Sequence, residues 1–360
     1  MKITIVAGAR PNFVKIAPVI KAICKAEKRG GDLHYRLVHT GQHYDRNLSG
    51  LFFEDLQIPE PDVNLGAGGG SQAEQTAAIM VAFERELIEH PADLVMVFGD
   101  VTSTLACSVV AKKLCVKVAH VEAGIRSWDL SMPEEINRMV TDSITDIFFT
   151  TSEVANANLK RFGVSPERIH FVGNVMIDTL MSNRLRFRKP DCFDEFALEE
   201  KKYFVLTLHR PGNVDEESRL KEFLEAIVLS ARGLPIVFPV HPRTRKHLEG
   251  LRIAAPNLKY IDPLGYLEFN FLVEHSMAVV TDSGGITEET TIMGVPCMTL
   301  RDNTERPETV SEGTNELIGT NPSAIPPAFA KVFDKLWKKG MAPELWDGHA
   351  AERIVSILLS

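Results

Sequence analysis

The sequence predicts two doubly wound α/β domains, each built on a parallel sheet with helices on its faces. Three observations predict it. Short β-type runs alternate with amphipathic helical patterns along almost the whole chain. The alternation falls into two series, separated by the charged segment 184–202, which carries Pro190 and has no clean periodicity. A length of 360 residues also exceeds a single average core.

The first series places strands at 3–7, 35–39, 94–98, 116–121, 147–150 and 169–172. The second places them at 203–208, 236–240, 258–261, 279–281 and 297–300. Most are unbroken apolar runs, the pattern of strands buried on both faces. The clearest helix is 216–231, where Leu220, Phe223, Leu224, Ile227, Val228 and Ala231 recur at helical spacing. Phe13, Ala17, Ile20 and Cys24 form a similar stripe near the start. A last helical pattern at 349–359, with Ile354, Ile357 and Leu358 on one side, is expected to pack back onto the first domain. The expected domains are therefore 1–183 and 184–345, with 346–360 returning to the first. In open sheets of this kind ligands bind beyond the carboxyl ends of the strands, so two such domains would place an active site in the cleft between them.

Composition narrows the class of protein. Hydrophobic residues make up 44% and charged residues 24%, as in an ordinary globular protein. A net charge of −8 argues against a nucleic-acid surface while leaving room for a local basic cleft. Cys24, Cys107, Cys115, Cys192 and Cys297 lack C-x-x-C spacing and read as reduced core thiols. The chain begins directly on a strand, without a signal-peptide pattern, and no apolar run approaches the length of a membrane span. The expectation is a cytoplasmic protein.

The most informative stretch is 277–291, MAVVTDSGGITEETT. An apolar run ends in Thr281-Asp282-Ser283-Gly284-Gly285, and helix-forming residues follow. Adjacent glycines let backbone N–H groups approach an anion, and the helix N-terminus adds partial positive charge, so a phosphate fits there. Glu288 and Glu289 lie one turn inside the helix, where a carboxylate can accept hydrogen bonds from ribose hydroxyls. The plain alternative is a βα turn with Ser283 as N-cap.

Other polar residues collect just after predicted strands: Gly8-Ala9-Arg10-Pro11-Asn12 with Lys15, Gly99-Asp100, Glu122-Ala123-Gly124 with Arg126, His209-Arg210-Pro211, and His241-Pro242-Arg243. Pro133-Glu134-Glu135-Ile136-Asn137-Arg138 opens a helix with acids, and Arg301 to Pro307 follows the last strand. Each has a plain counterpart. Asp100 can be an N-cap of a helix from Thr104, Glu134 a partner of the helix dipole, and Arg301 and Arg306 members of surface pairs with Asp302, Glu305 and Glu308. Together they offer carboxylates, several cations and one anion cradle. There is no metal signature, and the absence of G-x-G-x-x-G after the first strand argues against a nicotinamide cofactor.

These motifs, in this order, resemble the non-hydrolysing UDP-N-acetylglucosamine 2-epimerases. The resemblance runs from Gly8-Ala9-Arg10-Pro11 to Gly313-Thr314-Asn315. Its most specific parts are Thr40-Gly41-Gln42-His43, His120-Val121-Glu122-Ala123-Gly124, Pro133 to Arg138, Asp282-Ser283-Gly284-Gly285 and Thr304-Glu305-Arg306-Pro307. It implies two Rossmann-like domains of glycosyltransferase-B type, a homodimer, no cofactor, and UDP on the second domain. Ser283, Gly284 and Gly285 would hold the pyrophosphate, Glu289 the ribose, and Phe269 would lie by the uracil. Arg10, Lys15, His209 and Arg306 would surround the phosphates, with His209 counted among the catalytic groups. Asp100, Glu122 and Glu134 match the catalytic acids, and Arg138 supports them.

The implied reaction interconverts UDP-GlcNAc and UDP-ManNAc through 2-acetamidoglucal and UDP. The chain departs from the common pattern at Ala9, Asn12, Gly212 and Leu264. The block 41–65 is closer to a subgroup that includes epimerases of UDP-2,3-diacetamido-2,3-dideoxyglucuronate, which is the alternative substrate. A hydrolysing epimerase and a glycosyltransferase of the same fold are the further alternatives.

Overall fold

A computed structural model describes residues 1–42, 55–240, 242–248, 251, 253 and 255–360, without the side chains of Arg10, Pro242, Arg243 and Lys246. His43, the 43–54 part of the 41–65 block, His241 and the Arg10 side chain therefore lie outside the described residues. The chain divides into two compact units, Met1–Ser182 with Glu344–Ser360, and Asn183–Pro343.

The first unit holds β1 (Lys2–Ala7), β2 (His34–His39), β3 (Val63–Asn64), β4 (Leu94–Phe98), β5 (Lys117–Val121), β6 (Ile147–Thr150) and β7 (Ile169–Phe171). They form one sheet in the order β3-β2-β1-β4-β5-β6-β7, with every pairing parallel. All five residues of β4 are buried, which is why it reads as an unbroken apolar run. β3 escaped the sequence analysis because a two-residue strand has no periodicity to detect. The strand order reverses between β1 and β4, so their carboxyl ends flank the topological switch point, where such sheets bind ligands.

The chain end belongs to this unit. Asp178 caps the helix Ala350–Leu359, accepting the N–H groups of Ala350 at 3.1 Å and Ala351 at 2.7 Å. The Trp346 indole donates to the Thr151 carbonyl at 2.9 Å.

The second unit repeats the design with β8 (Phe204–Thr207), β9 (Ile236–Pro239), β10 (Leu258–Ile261), β11 (Ala278–Thr281), β12 (Cys297–Thr299) and β13 (Asn315–Leu317). The order is β10-β9-β8-β11-β12-β13, again parallel, with the switch between β8 and β11. β13 is a three-residue edge strand that the sequence analysis did not find. The expected amphipathic helix forms over Glu217–Ser230 and buries Leu220, Phe223, Leu224 and Ile227. Phe204 and Phe329 meet in the core with ring centroids 4.7 Å apart. Cys107, Cys192 and Cys297 are core thiols, whereas Cys115 is exposed.

Candidate active site

At the first switch point the turn after β4 is built around Gly99, whose φ of +64° suits glycine. A Cβ there would stand 2.7 Å from Lys15 Nζ. The helix Arg10–Glu27 brings Lys15 into this space, and its ammonium forms a buried ion pair with Glu122. Glu122 directly follows β5 and adopts φ +77°, a left-handed conformation that costs a residue with a side chain about 1–2 kcal/mol. Its N–H and that of Ala123 both donate to the Phe149 carbonyl, at 2.9 and 3.0 Å, which holds the strained turn.

Asp100 is not a helix cap. The helix Thr102–Lys113 has Val101 at its N-cap with no side-chain hydrogen bond, and the Asp100 carboxylate pairs with Arg138. Arg138 is buried and also binds Glu135 through Nε at 2.9 Å and Nη2 at 2.6 Å, and the Ser127 hydroxyl at 3.2 Å. Asn137 donates to the Asp100 carbonyl at 2.8 Å. The two glutamates that open the helix Pro133–Ile144 divide sharply. Glu135 is fully buried and also accepts the Ser127 and Trp128 N–H groups, whereas Glu134 stands exposed in the first helical turn.

Beneath these acids lies a buried charged network. His120, on β5, has Nδ1 2.7 Å from Asp142 and Nε2 2.8 Å from the Gly99 carbonyl. An oxygen therefore faces each ring nitrogen, and the ring is held at both ends. Asp142 also pairs with Arg126 at 2.7 Å and accepts the Gly124 N–H at 3.1 Å. Burial pushes the Asp142 carboxyl up, but His120 and Arg126 outweigh it and hold it below the ordinary value.

In the second unit, Asp282 directly follows β11, fully buried, and gathers the loop that follows β8. Its carboxylate accepts the N–H groups of His209 at 3.1 Å and Arg210 at 2.9 Å, and the Asn213 amide at 3.2 Å. His209 Nδ1 lies 2.9 Å from Oδ1. Across the switch point the Thr207 and Thr281 hydroxyls bond at 2.6 Å.

The helix Gly284–Met293 then starts with Ser283 at the N-cap position, but the hydroxyl makes no capping bond, unlike the plain βα-turn reading. Arg301 and Arg306 are buried, against the plain alternative of surface pairs. Arg301 pairs with Glu305 at 2.7 Å, and Arg306 pairs with Glu288. A Cβ on Gly284 would stand 2.6 Å from Glu305 Oε1 and 3.9 Å from Arg301 Nη1, so this pair lines the helix start. Among the described residues no hydrogen-bond acceptor meets Arg301 Nη1. Glu289 accepts the Tyr266 hydroxyl at 2.9 Å, and burial pushes its carboxyl up to about 7 despite the Tyr266 and Asn270 hydrogen bonds. Phe269 is half-buried against the core formed by Tyr203, Val205 and Leu272. Gly285 completes the turn inside the helix.

Among the described residues no His, Cys, Asp and Glu cluster could hold a metal ion, and no helix is long and apolar enough to cross a membrane.

The family model of UDP-N-acetylglucosamine 2-epimerase matches residues 25–359. The chain belongs to this family. Its curated relatives include the UDP-N-acetylglucosamine 2-epimerase of Methanocaldococcus jannaschii, 41% identical over 99% of each chain. The UDP-2,3-diacetamido-2,3-dideoxy-D-glucuronate 2-epimerase of Pseudomonas aeruginosa is 42% identical, over 89% of this chain and 88% of its own. The crystal structure of the M. jannaschii epimerase in complex with UDP-GlcNAc and UDP superposes with a TM-score of 0.89 at 40% identity, covering 99% of both chains.

Sequence reasoning on this epimerase-family chain gave Asp282 and Glu135 no role beyond their motifs, read Glu308 only as a possible surface partner, and passed over Asp142 and Tyr266. Glu308 is buried, with neither carboxylate oxygen hydrogen-bonded among the described residues, and burial pushes its carboxyl up even though Arg306 pulls it down. The one signal for Asp282 was its place at the end of a strand. Its partners lie some 70 positions earlier, beyond the reach of a local pattern.

Proposed function

We propose that this protein is a non-hydrolysing UDP-N-acetylglucosamine 2-epimerase that interconverts UDP-GlcNAc and UDP-ManNAc. The observation that carries the reading is the division of chemistry between two switch points. One bears carboxylates set among buried cations, and the other bears a helix-start anion cradle beside Arg301, with Arg306 held by Glu288 of the same helix. The likeness to UDP-GlcNAc 2-epimerases over 99% of the chain supports it.

The C2 hydrogen of the sugar is not adjacent to a carbonyl, so direct deprotonation is hard. Breaking the C1–O bond first, with its electron pair passing to the β-phosphate oxygen, leaves an oxocarbenium that acidifies C2–H. A carboxylate then takes that proton, giving 2-acetamidoglucal and UDP. In the return step the β-phosphate oxygen attacks C1 and a proton reaches the opposite face of C2. Two faces need two proton-transfer groups, drawn from Asp100, Glu122 and Glu134. The ion pair with Lys15 keeps Glu122 a carboxylate, the form that accepts a proton.

Arg10, Lys15, His209 and Arg306 are assigned to the departing diphosphate, with Ser283, Gly284, Gly285 and Arg301 around it. Each charge-assisted hydrogen bond contributes about 1.5–3 kcal/mol. Glu289 is assigned to the ribose, Phe269 to the base and Arg138 to the support of Asp100. The working form is proposed to be a cytoplasmic homodimer.

Incubation with UDP-GlcNAc in deuterated water, followed by proton NMR, tests the reaction. Epimerisation places deuterium at C2 and yields UDP-ManNAc. Free N-acetylmannosamine would mean hydrolysis, and transfer to an acceptor without C2 exchange would mean a glycosyltransferase. The 42% identity to the diacetamido-uronate epimerase favours that substrate as the second reading. A higher kcat/KM for the uronate than for UDP-GlcNAc would establish it.

A further inference from the structure

Asp282 has no solvent exposure, yet its two oxygens meet four donor atoms. Oδ2 accepts the Arg210 N–H at 2.9 Å and the Asn213 amide at 3.2 Å. The His209 N–H, at 3.1 Å, is shared between both oxygens. Oδ1 additionally faces His209 Nδ1 at 2.9 Å. Burial pushes this carboxyl up, but the His209 ring and the N–H donors outweigh it and hold it below the ordinary value. An ionised carboxylate has only lone pairs to offer, so the proton in the Oδ1–Nδ1 bond belongs to the histidine.

We propose that Asp282 is a positioning residue that fixes His209 in the Nδ1–H form, so that the ring gains and loses its proton only at Nε2. This rests on the reading of His209 as a group acting on the departing diphosphate. As C1–O breaks, the electron pair goes to the β-phosphate oxygen and the imidazolium passes its Nε2 proton to that oxygen. When the oxygen returns to C1, the proton returns to Nε2. Asp282 stays a carboxylate throughout and touches no substrate. The same carboxylate holds Arg210 and Asn213, so the loop after β8 and the ring are set together.

A purely structural role would staple that loop without any effect on which nitrogen carries the proton. Asp282→Asn separates the two. The amide oxygen can keep the Arg210 and Asn213 bonds at the Oδ2 position, while its NH2 group then faces Nδ1 as a donor. Nδ1 must become the acceptor and Nε2 must keep its proton.

Ring nitrogen shifts of the full-length protein, labelled with 15N-histidine and assigned against His209→Gln, read this directly. The expected wild-type form is Nδ1–H and the expected Asp282→Asn form is Nε2–H. Turnover in the variant should fall by roughly 10²–10⁴, up to the loss seen when asparagine replaces an orienting aspartate and leaves the wrong tautomer. UDP affinity by calorimetry should change by no more than roughly threefold. An Nε2–H tautomer in the wild type overturns the proposal whether or not the variant folds. Full turnover in Asp282→Asn, or an unchanged tautomer there, also overturns it. Full turnover in His209→Gln, together with the expected tautomer reversal, would instead leave the lock standing and remove His209 from the reaction.

Discussion

His120 and His209 each set Nδ1 against a buried aspartate, at 2.7 Å from Asp142 and 2.9 Å from Asp282, but their surroundings differ. The His120 side chain is fully buried and its second nitrogen faces the Gly99 carbonyl, so the ring is fixed at both ends under the turn that carries Asp100. The His209 side chain is 43% exposed, while its aspartate is not exposed at all. The same residue pair therefore braces a scaffold in one unit and presents a ring to solvent in the other. Buried carboxylates pair with cations in both units, with Glu305 on Arg301 and Glu288 on Arg306 in the second, but one of them stands apart. In the first unit Glu122, Glu135 and Asp142 face Lys15, Arg138 and Arg126, whereas Glu289 in the second unit bonds the neutral Tyr266 hydroxyl.

The largest stability effect should come from breaking the scaffold pair. Asp142→Ala leaves Arg126 a buried cation without its carboxylate and His120 without its partner, a loss of about 3–5 kcal/mol. Urea unfolding measures it, and a loss below about 1 kcal/mol would mean that the Asp142 network does not brace the fold.

Glu289 sharpens the contrast through pH. Its carboxyl is raised from 4.5 to about 7 in the folded protein, so the protonated form is the favoured one. The associated stability is fully present below the unfolded value and is lost as pH rises through about 7. Glu289→Gln keeps an acceptor for Tyr266 and cannot ionise. Relative to wild type it should gain about 2–3 kcal/mol between pH 5 and pH 8. Paired denaturation curves at the two pH values check this, and a pH-independent difference would place the Glu289 titration elsewhere.

Arg301→Ala should weaken UDP binding by roughly 10–150-fold, the worth of one charge-assisted contact. Calorimetry with unchanged affinity would return Arg301 to a partner of Glu305 alone. The smallest effect is expected at an exposed pair. Lys25 and Glu352, 2.7 Å apart, are each about half exposed, so Lys25→Ala should cost at most about 0.5 kcal/mol, less in high salt.

Most of the architecture was legible because strands of a parallel sheet are buried on both faces and appear as apolar runs. The exceptions, β3 and β13, are edge strands of two and three residues, too short to show a pattern. The candidate site was legible as positions after strands, but its pairings were not. Glu134 and Glu135 are equivalent in a helix-start pattern, and only the placement of Arg138 and Ser127 shows which one is buried. A helix cap remained an alternative for Asp100 because its actual partner, Arg138, lies 38 positions away. For Arg301 and Arg306 the acids around them in sequence left a surface-pair alternative open, and the fold, which buries both, removes it.

The central claim is that the first unit moves the C2 proton and the second holds UDP. Glu134→Gln tests it most directly, since this exposed side chain can be changed with little effect on the fold. Deuterium incorporation at C2 of UDP-GlcNAc, measured by NMR beside a calorimetric titration with UDP, gives both readouts on one protein. The account predicts that exchange falls by roughly 10²–10⁴ while the UDP affinity stays within roughly threefold of wild type. Wild-type exchange, or the loss of UDP binding together with exchange, would contradict it.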